Sequence, residues 1–186
     1  MRGFFAGLVV GIAVILLGLF VYFEQGFAPV AASAPPMPFE KMLARMALHA
    51  HLEKEQPAKA GIEASEANYL AGAQAYLDNC AVCHGAPGRQ PTPVARGMFP
   101  RPPQLLHGKG VTDDPPGETY WKTANGIRMT GMPGFKDSLS ETQMWQISLL
   151  LANADKLPAS ANAVLAGQAP TLPQTPPAAG SQGPGK

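Results

Sequence analysis

Hydrophobic positions fall in blocks along this chain. From Gly3 to Phe23 no residue carries a charge, and Leu, Val, Ile, Ala, Phe and Gly dominate. As a helix this run rises about 31 Å, which matches the hydrocarbon core of a bilayer. Further on the pattern turns periodic. Phe39, Met42, Leu43, Met46 and Ala50 recur with helical spacing in a stretch free of Gly and Pro that extends to Gln56, and this predicts an amphipathic helix. Ser65-Glu66-Ala67-Asn68 opens another helix, running through Tyr69, Leu70, Ala73, Tyr76 and Leu77 into Cys80. Glu118 to Gly126 reads as a short helix. Ser140 is placed to cap a last one from Glu141 to about Ala154, with Met144, Ile147, Leu150 and Leu151 on its apolar side.

The segments between these helices are set by Pro and Gly. Phe27 to Pro38 is an Ala/Pro linker, and Pro57 to Ser65 is a second connector. For roughly thirty residues after His84, a series of prolines from Pro87 to Pro103 forbids regular structure. A loop that long inside a compact domain is usually functional, and here it would wrap a cofactor. Ile127 to Phe135 is a shorter loop carrying Met129 and Met132. From Ala159 the composition is Ala, Pro, Gly, Gln and Ser, which predicts disorder. The expected division is an anchor at 1–24, a linker with the amphipathic helix at 25–61, a helical domain at 62–158 and a tail at 159–186. No strand-rich pattern and no internal repeat is present, so the expected class is all-α.

Charge narrows the picture. The net charge is +1, and between Ile62 and Pro158 eight Lys/Arg face nine Asp/Glu. Without basic runs interleaved with aromatics, nucleic-acid binding is excluded as a reading. Arg2 precedes the apolar run and Glu24 follows it. The positive-inside bias then keeps the N-terminus cytoplasmic and places the rest of the chain on the outer side. Ala32-Ser33-Ala34 resembles a signal-peptide cleavage site. The apolar run, however, is longer than a usual signal core, lies well upstream of that site, and Pro35 and Pro36 follow it directly. A single-pass anchor is therefore expected, and either reading exports the domain.

The two cysteines stand three apart with a histidine directly after the second: Cys80, Cys83, His84. Cys-x-x-Cys-His is the attachment signature for c-type haem. Both thiols sit on one turn of chain, where each can add across a haem vinyl group, and His84 falls under the iron. A thioredoxin-like pair would need an α/β context. A zinc site would need four ligands, and the other histidines, His49, His51 and His107, are isolated from the motif. The expected cofactor is one haem c, covalent through Cys80 and Cys83. For the sixth position Met132, in Gly131-Met132-Pro133-Gly134, is the expected ligand, with Met129 and Met98 as rivals. A thioether there would raise the reduction potential. His49 or His51 as a ligand is the less favoured option.

On these residues the chain resembles the class I cytochrome c family, in the single-haem, membrane-anchored form found in bacterial respiratory chains. The resemblance covers roughly residues 64 to 157. Gly72 and Tyr76 match the family's Gly-x-x-x-aromatic pattern on the first helix, with Trp145 on the last helix as the expected partner and Leu149 extending the contact. Tyr120-Trp121 and Asn125-Gly126-Ile127-Arg128 look like the segment leading into the methionine loop. The resemblance implies a cytochrome c-like helical domain around one haem, with His84 as proximal and Met132 as distal ligand. The proline that orients the proximal histidine stays open among Pro87, Pro91 and Pro93. Arg101 and Arg128 are nominated to meet the haem propionates, as Arg suits carboxylates.

The expected function is one-electron transfer without substrate conversion, among membrane-bound redox partners at the periplasmic face of a bacterial inner membrane. Residues 3–23 would meet the lipid bilayer. The alternatives are a haem enzyme with an open distal site and an electron-entry subunit of a larger oxidase or dehydrogenase. The sequence does not fix the oligomeric state.

Overall fold

The structure is a computed structural model that describes residues 2–106 and 114–168. Among the described residues all regular structure is helical. The described residues divide into two compact units, one up to Ala47 and one from Leu48.

In the first unit, α1 runs from Arg2 to Glu24 with no buried residue. It is long and apolar enough to cross a membrane. Gly26 ends it in the left-handed region (φ 72°). Gly26 N–H donates to the Phe23 carbonyl, and Phe27 N–H reaches back to Tyr22 at 3.1 Å. The rings of Tyr22 and Phe27 stack at 6.2 Å, which completes a Schellman stop with its usual apolar contact. Helix α2 follows, Glu40–Glu55. Its expected apolar positions Phe39, Met42, Leu43 and Met46 are all exposed, and the residue that is buried is Leu52.

The second unit begins at Leu48, upstream of residue 62 where the helical domain was expected to open, and Leu52 within it is only 2% exposed. Its helices are α3 (Glu66–Asn79), α4 (Ala81–His84), α5 (Pro93–Gly97), α6 (Pro116–Asn125), α7 (Glu141–Ala152) and α8 (Ala159–Leu165). Ser65 caps α3 by accepting from Asn68 N–H. Ser140 and Gln143 form a reciprocal capping box on α7. Helix α3 packs on α7 and α8, and α6 packs on α7. The core is Ala73, Tyr76, Ile147, Leu150, Ala161 and Leu165 with their neighbours.

Glycine makes the α3–α7 crossing possible. A Cβ at Gly72 would drive into the backbone carbonyl of Gln146. Gln146 in turn donates its side-chain amide to Asn68 Oδ1 at 3.0 Å.

Trp145 stacks its ring on Tyr120 at 4.1 Å, and a Cβ at Gly61 would lie 2.7 Å from its indole nitrogen. Two expectations need correction. The long proline-rich stretch is not free of regular structure. Pro93 occupies the first turn of α5, where its missing N–H costs nothing, and Thr92 supplies the cap. The tail does not begin at 159. Ala161, Val164 and Leu165 form an apolar face on α8 that is buried, and Ser160 hydroxyl donates to Glu66 on α3. The rest of the expected tail, residues 169–186, lies outside the described residues.

Candidate functional site

Helix α3 delivers Cys80 at its C-cap, with Cys80 N–H donating to Tyr76 O at 2.8 Å. The Cys80 carbonyl then accepts from Cys83 N–H (3.1 Å) and His84 N–H (2.8 Å). One tight turn therefore carries all three motif residues. Neither cysteine is in a disulfide. Burial pushes the Cys80 thiol up to about 12, and neighbouring Cys83 adds to the rise. That is the opposite of the depressed thiol of a dithiol redox catalyst.

Gly85 turns the chain away in the left-handed region (φ 77°), and a Cβ there would collide with the Gln104 side-chain amide. The buried Tyr76 hydroxyl donates to the Gly85 carbonyl at 2.8 Å. Burial, with Cys80 nearby, raises the tyrosine pKa, so the phenol stays protonated as the donor.

His84 Nδ1 lies 2.8 Å from the Pro103 carbonyl oxygen. A carbonyl only accepts, so Nδ1 carries the proton and donates, leaving Nε2 with its lone pair free. Burial lowers the His84 pKa, against the smaller upward pull of the Pro103 bond, and so favours the neutral ring. The orienting proline is thus Pro103, not Pro87, Pro91 or Pro93. Its signal was the Pro102-Pro103 pair, which fixes an extended carbonyl. Thr92 also went unread. Its hydroxyl donates to the Val82 carbonyl at 2.6 Å while accepting from Ala95 N–H, fastening α5 to the motif turn.

Met132 sits on a separate loop folded against the end of α6. The last carbonyls of a helix lack internal partners, and here Thr123 O accepts from Phe135 N–H (2.9 Å) and Ala124 O from Lys136 N–H (3.2 Å). Met132 itself is fixed at both backbone groups. Its N–H donates to Thr130 Oγ1 at 3.1 Å, and its carbonyl accepts from Ile127 N–H at 3.2 Å. Gly126 (φ 69°) permits this fold-back, since a Cβ there would lie 2.6 Å from Pro133 C. Met98 packs its thioether end over Gly131, whereas Met129 is 91% exposed.

The other nominated residues lie elsewhere or in solvent. Arg101 and Arg128 are exposed. His51 is committed to Glu55 (3.0 Å) and to the Trp121 ring, edge-on at 5.1 Å. Trp121 Nε1 donates to the same Glu55 at 3.2 Å. His107 lies outside the described residues.

The motif turn therefore offers two unpaired thiols and an oriented imidazole with Nε2 uncommitted, while Met132 stands on its own braced loop. That donor set fits a porphyrin bonded through both sulfurs.

Residues 67–149 match the family model described as cytochrome c oxidase, cbb3-type, subunit III. A chain of the Kuenenia stuttgartiensis reducing HAO-like protein complex is a solved structure with similarity to this one. The two are 26% identical over 55% of this chain, with a TM-score of 0.44. The chain spans about half (53%) of that protein. No curated protein matches.

Proposed function

From the premise that residues 67–149 are a cytochrome c-family domain, we propose that this chain is a membrane-tethered one-electron carrier of an extracytoplasmic respiratory chain. It holds one haem c through Cys80 and Cys83, with His84 and Met132 as axial ligands, and converts no substrate. Such a haem supplies a one-electron couple. The chain's own residues do the rest. Cys80 and Cys83 make the attachment permanent, and Pro103 holds the His84 imidazole as a neutral Nε2 donor. The braced loop presents a soft thioether, which favours the reduced state.

The observation that carries this reading is the Cys-x-x-Cys-His turn whose imidazole is tied at Nδ1 to Pro103. The apolar α1 supports single-pass anchoring in a bacterial inner membrane, with the domain on the periplasmic side. Confinement there raises the effective concentration of membrane-bound donors and acceptors.

The test is mass spectrometry of the exported protein together with its visible spectrum. One added haem mass is expected. The weak long-wavelength sulfur-to-iron band should be present in the wild type and gone in Met132→Ala. Absence of haem mass defeats the proposal, and persistence of the band in Met132→Ala defeats the ligand assignment.

The family description names an oxidase subunit, which favours a second reading: an electron-entry subunit of a larger oxidase. Size measurement after extraction in mild detergent separates a free carrier from a complex member.

A further inference from the structure

Exposed apolar side chains are not scattered evenly over this chain. Fifteen of the large ones lie on α1, and six more lie just after it: Phe27, Val30, Phe39, Met42, Leu43 and Met46. From Leu48 to the end of the described residues there are only three, Val82, Val94 and Met129. The haem-binding unit therefore hides its apolar surface well, and the stretch beside the membrane span does not.

Within that stretch the residues are organised. Phe39 precedes α2, and its carbonyl accepts from Leu43 N–H at 2.9 Å, which begins the helical ladder. At 100° per residue, Met42, Leu43 and Met46 fall on one side of α2, whereas Lys41 and Arg45 fall on the opposite side. These three apolar side chains and Phe39 are 50–70% exposed. Phe39 also holds φ at 64°, a rare backbone state for a bulky residue. Among the described residues none buries the Phe39 ring, which stays 70% exposed. Fifteen residues separate the end of α1 at Glu24 from the start of α2 at Glu40. Even fully extended they reach only about 50 Å, so the stripe is always within reach of the bilayer that α1 enters.

We propose that the first half of α2 lies in the lipid interface of that bilayer, with Phe39, Met42, Leu43 and Met46 set into the headgroup–acyl boundary and Lys41 and Arg45 turned to water. The proposal rests on α1 being a membrane anchor. Its consequence is that the tether is short. The same helix runs on past Leu48, where the haem-binding unit begins, so lipid contact shortens the free part of the linker.

The test uses the full-length, haem-loaded protein in its own membranes, with the photo-crosslinker p-benzoylphenylalanine placed in turn at Met42, Met46 and Lys41. Lipid adducts, read by mass spectrometry, are expected several-fold more often from positions 42 and 46 than from 41. Equal yields from both faces, or no lipid adduct from the stripe, overturn the proposal. So do adducts dominated by protein, whether a second copy or another chain, because they identify a protein interface instead. Alkaline carbonate washing before analysis separates the two readings. Loss of the protein from washed membranes refutes the anchor itself, whereas retention without stripe adducts refutes only the interfacial helix.

Discussion

The Pro103 carbonyl oxygen and His84 Nδ1 meet at 2.8 Å across nineteen residues of chain. Through this one bond a loop without sequence neighbours in the motif fixes the tautomer of the motif's imidazole. A hydrogen bond of this kind raises the basicity of the other ring nitrogen and holds the ring plane. Replacing Pro103→Gly keeps a carbonyl but frees the backbone that aims it. The reduction potential of the haem-loaded variant should rise, since a less basic imidazole stabilises ferric iron less. Pro103→Ala should shift it in the same direction by a smaller amount. Potentiometric titration of the three proteins reads both effects, and an unchanged potential in Pro103→Gly refutes the role.

Gly72 sets how closely α3 approaches α7. Because the obstacle to a Cβ is the Gln146 backbone carbonyl and not a side-chain tip, relaxation requires the helices to separate. Gly72→Ala should destabilise the domain by roughly 1–3 kcal/mol, and Gly72→Val by more. Guanidinium melts followed by far-ultraviolet circular dichroism measure the loss. Equal midpoints for wild type and Gly72→Val would mean that the crossing is looser than described.

Tyr76 uses the same region differently. Its hydroxyl is the donor that reaches the Gly85 carbonyl at the turn just after His84. Tyr76→Phe keeps the ring in the core and removes only that donor, leaving a buried acceptor unpaired at a cost of about 1–3 kcal/mol. Hydrogen exchange should show faster opening of the motif turn with little change at α7, where the ring contacts are retained. A global and uniform loss of protection instead would assign Tyr76 a packing role alone.

How much of this was legible in the sequence depends on the range of the interaction. Cys80, Cys83 and His84 are local, and a single helical turn brings them together, so the motif alone located them. The capping of α7 by Ser140 was also local. Pro103, by contrast, acts through a backbone carbonyl, which every residue possesses, and only the path of the loop decides which one arrives at His84. The stacking partner of Trp145 was not legible for a related reason. Aromatic spacing marks a ring as available but does not say whether Tyr76 or Tyr120 is across from it. Helix α8 was hidden by composition. Ala and Pro around residues 158–163 suggested a tail, yet Val164 and Leu165 with Ala161 suffice to dock one short helix on α3. The exposed stripe of α2 shows the converse failure. Periodicity correctly gave the helix but could not say that Leu52, off the stripe, would be the buried residue.

The protonation of His84 gives a pH dependence with a definite sign. Burial lowers its pKa in the folded chain relative to an ordinary, solvated histidine. Between the ordinary value and the lowered one, the unfolded chain holds a proton on this ring that the folded chain does not. Stability therefore rises with pH through that window. The contribution is fully present above the ordinary histidine value and is lost as pH falls through the lowered one. With His84 as the proposed ligand, a proton on Nε2 would compete with binding of the haem iron there. The denaturant midpoint of the haem-free chain should fall on acidification from neutral pH toward 5, and a His84→Gln variant, which has no titrating ring, should show a flatter profile over that range. Parallel profiles for the two proteins would show that other groups carry the dependence and that the imidazole at 84 is not held neutral by burial.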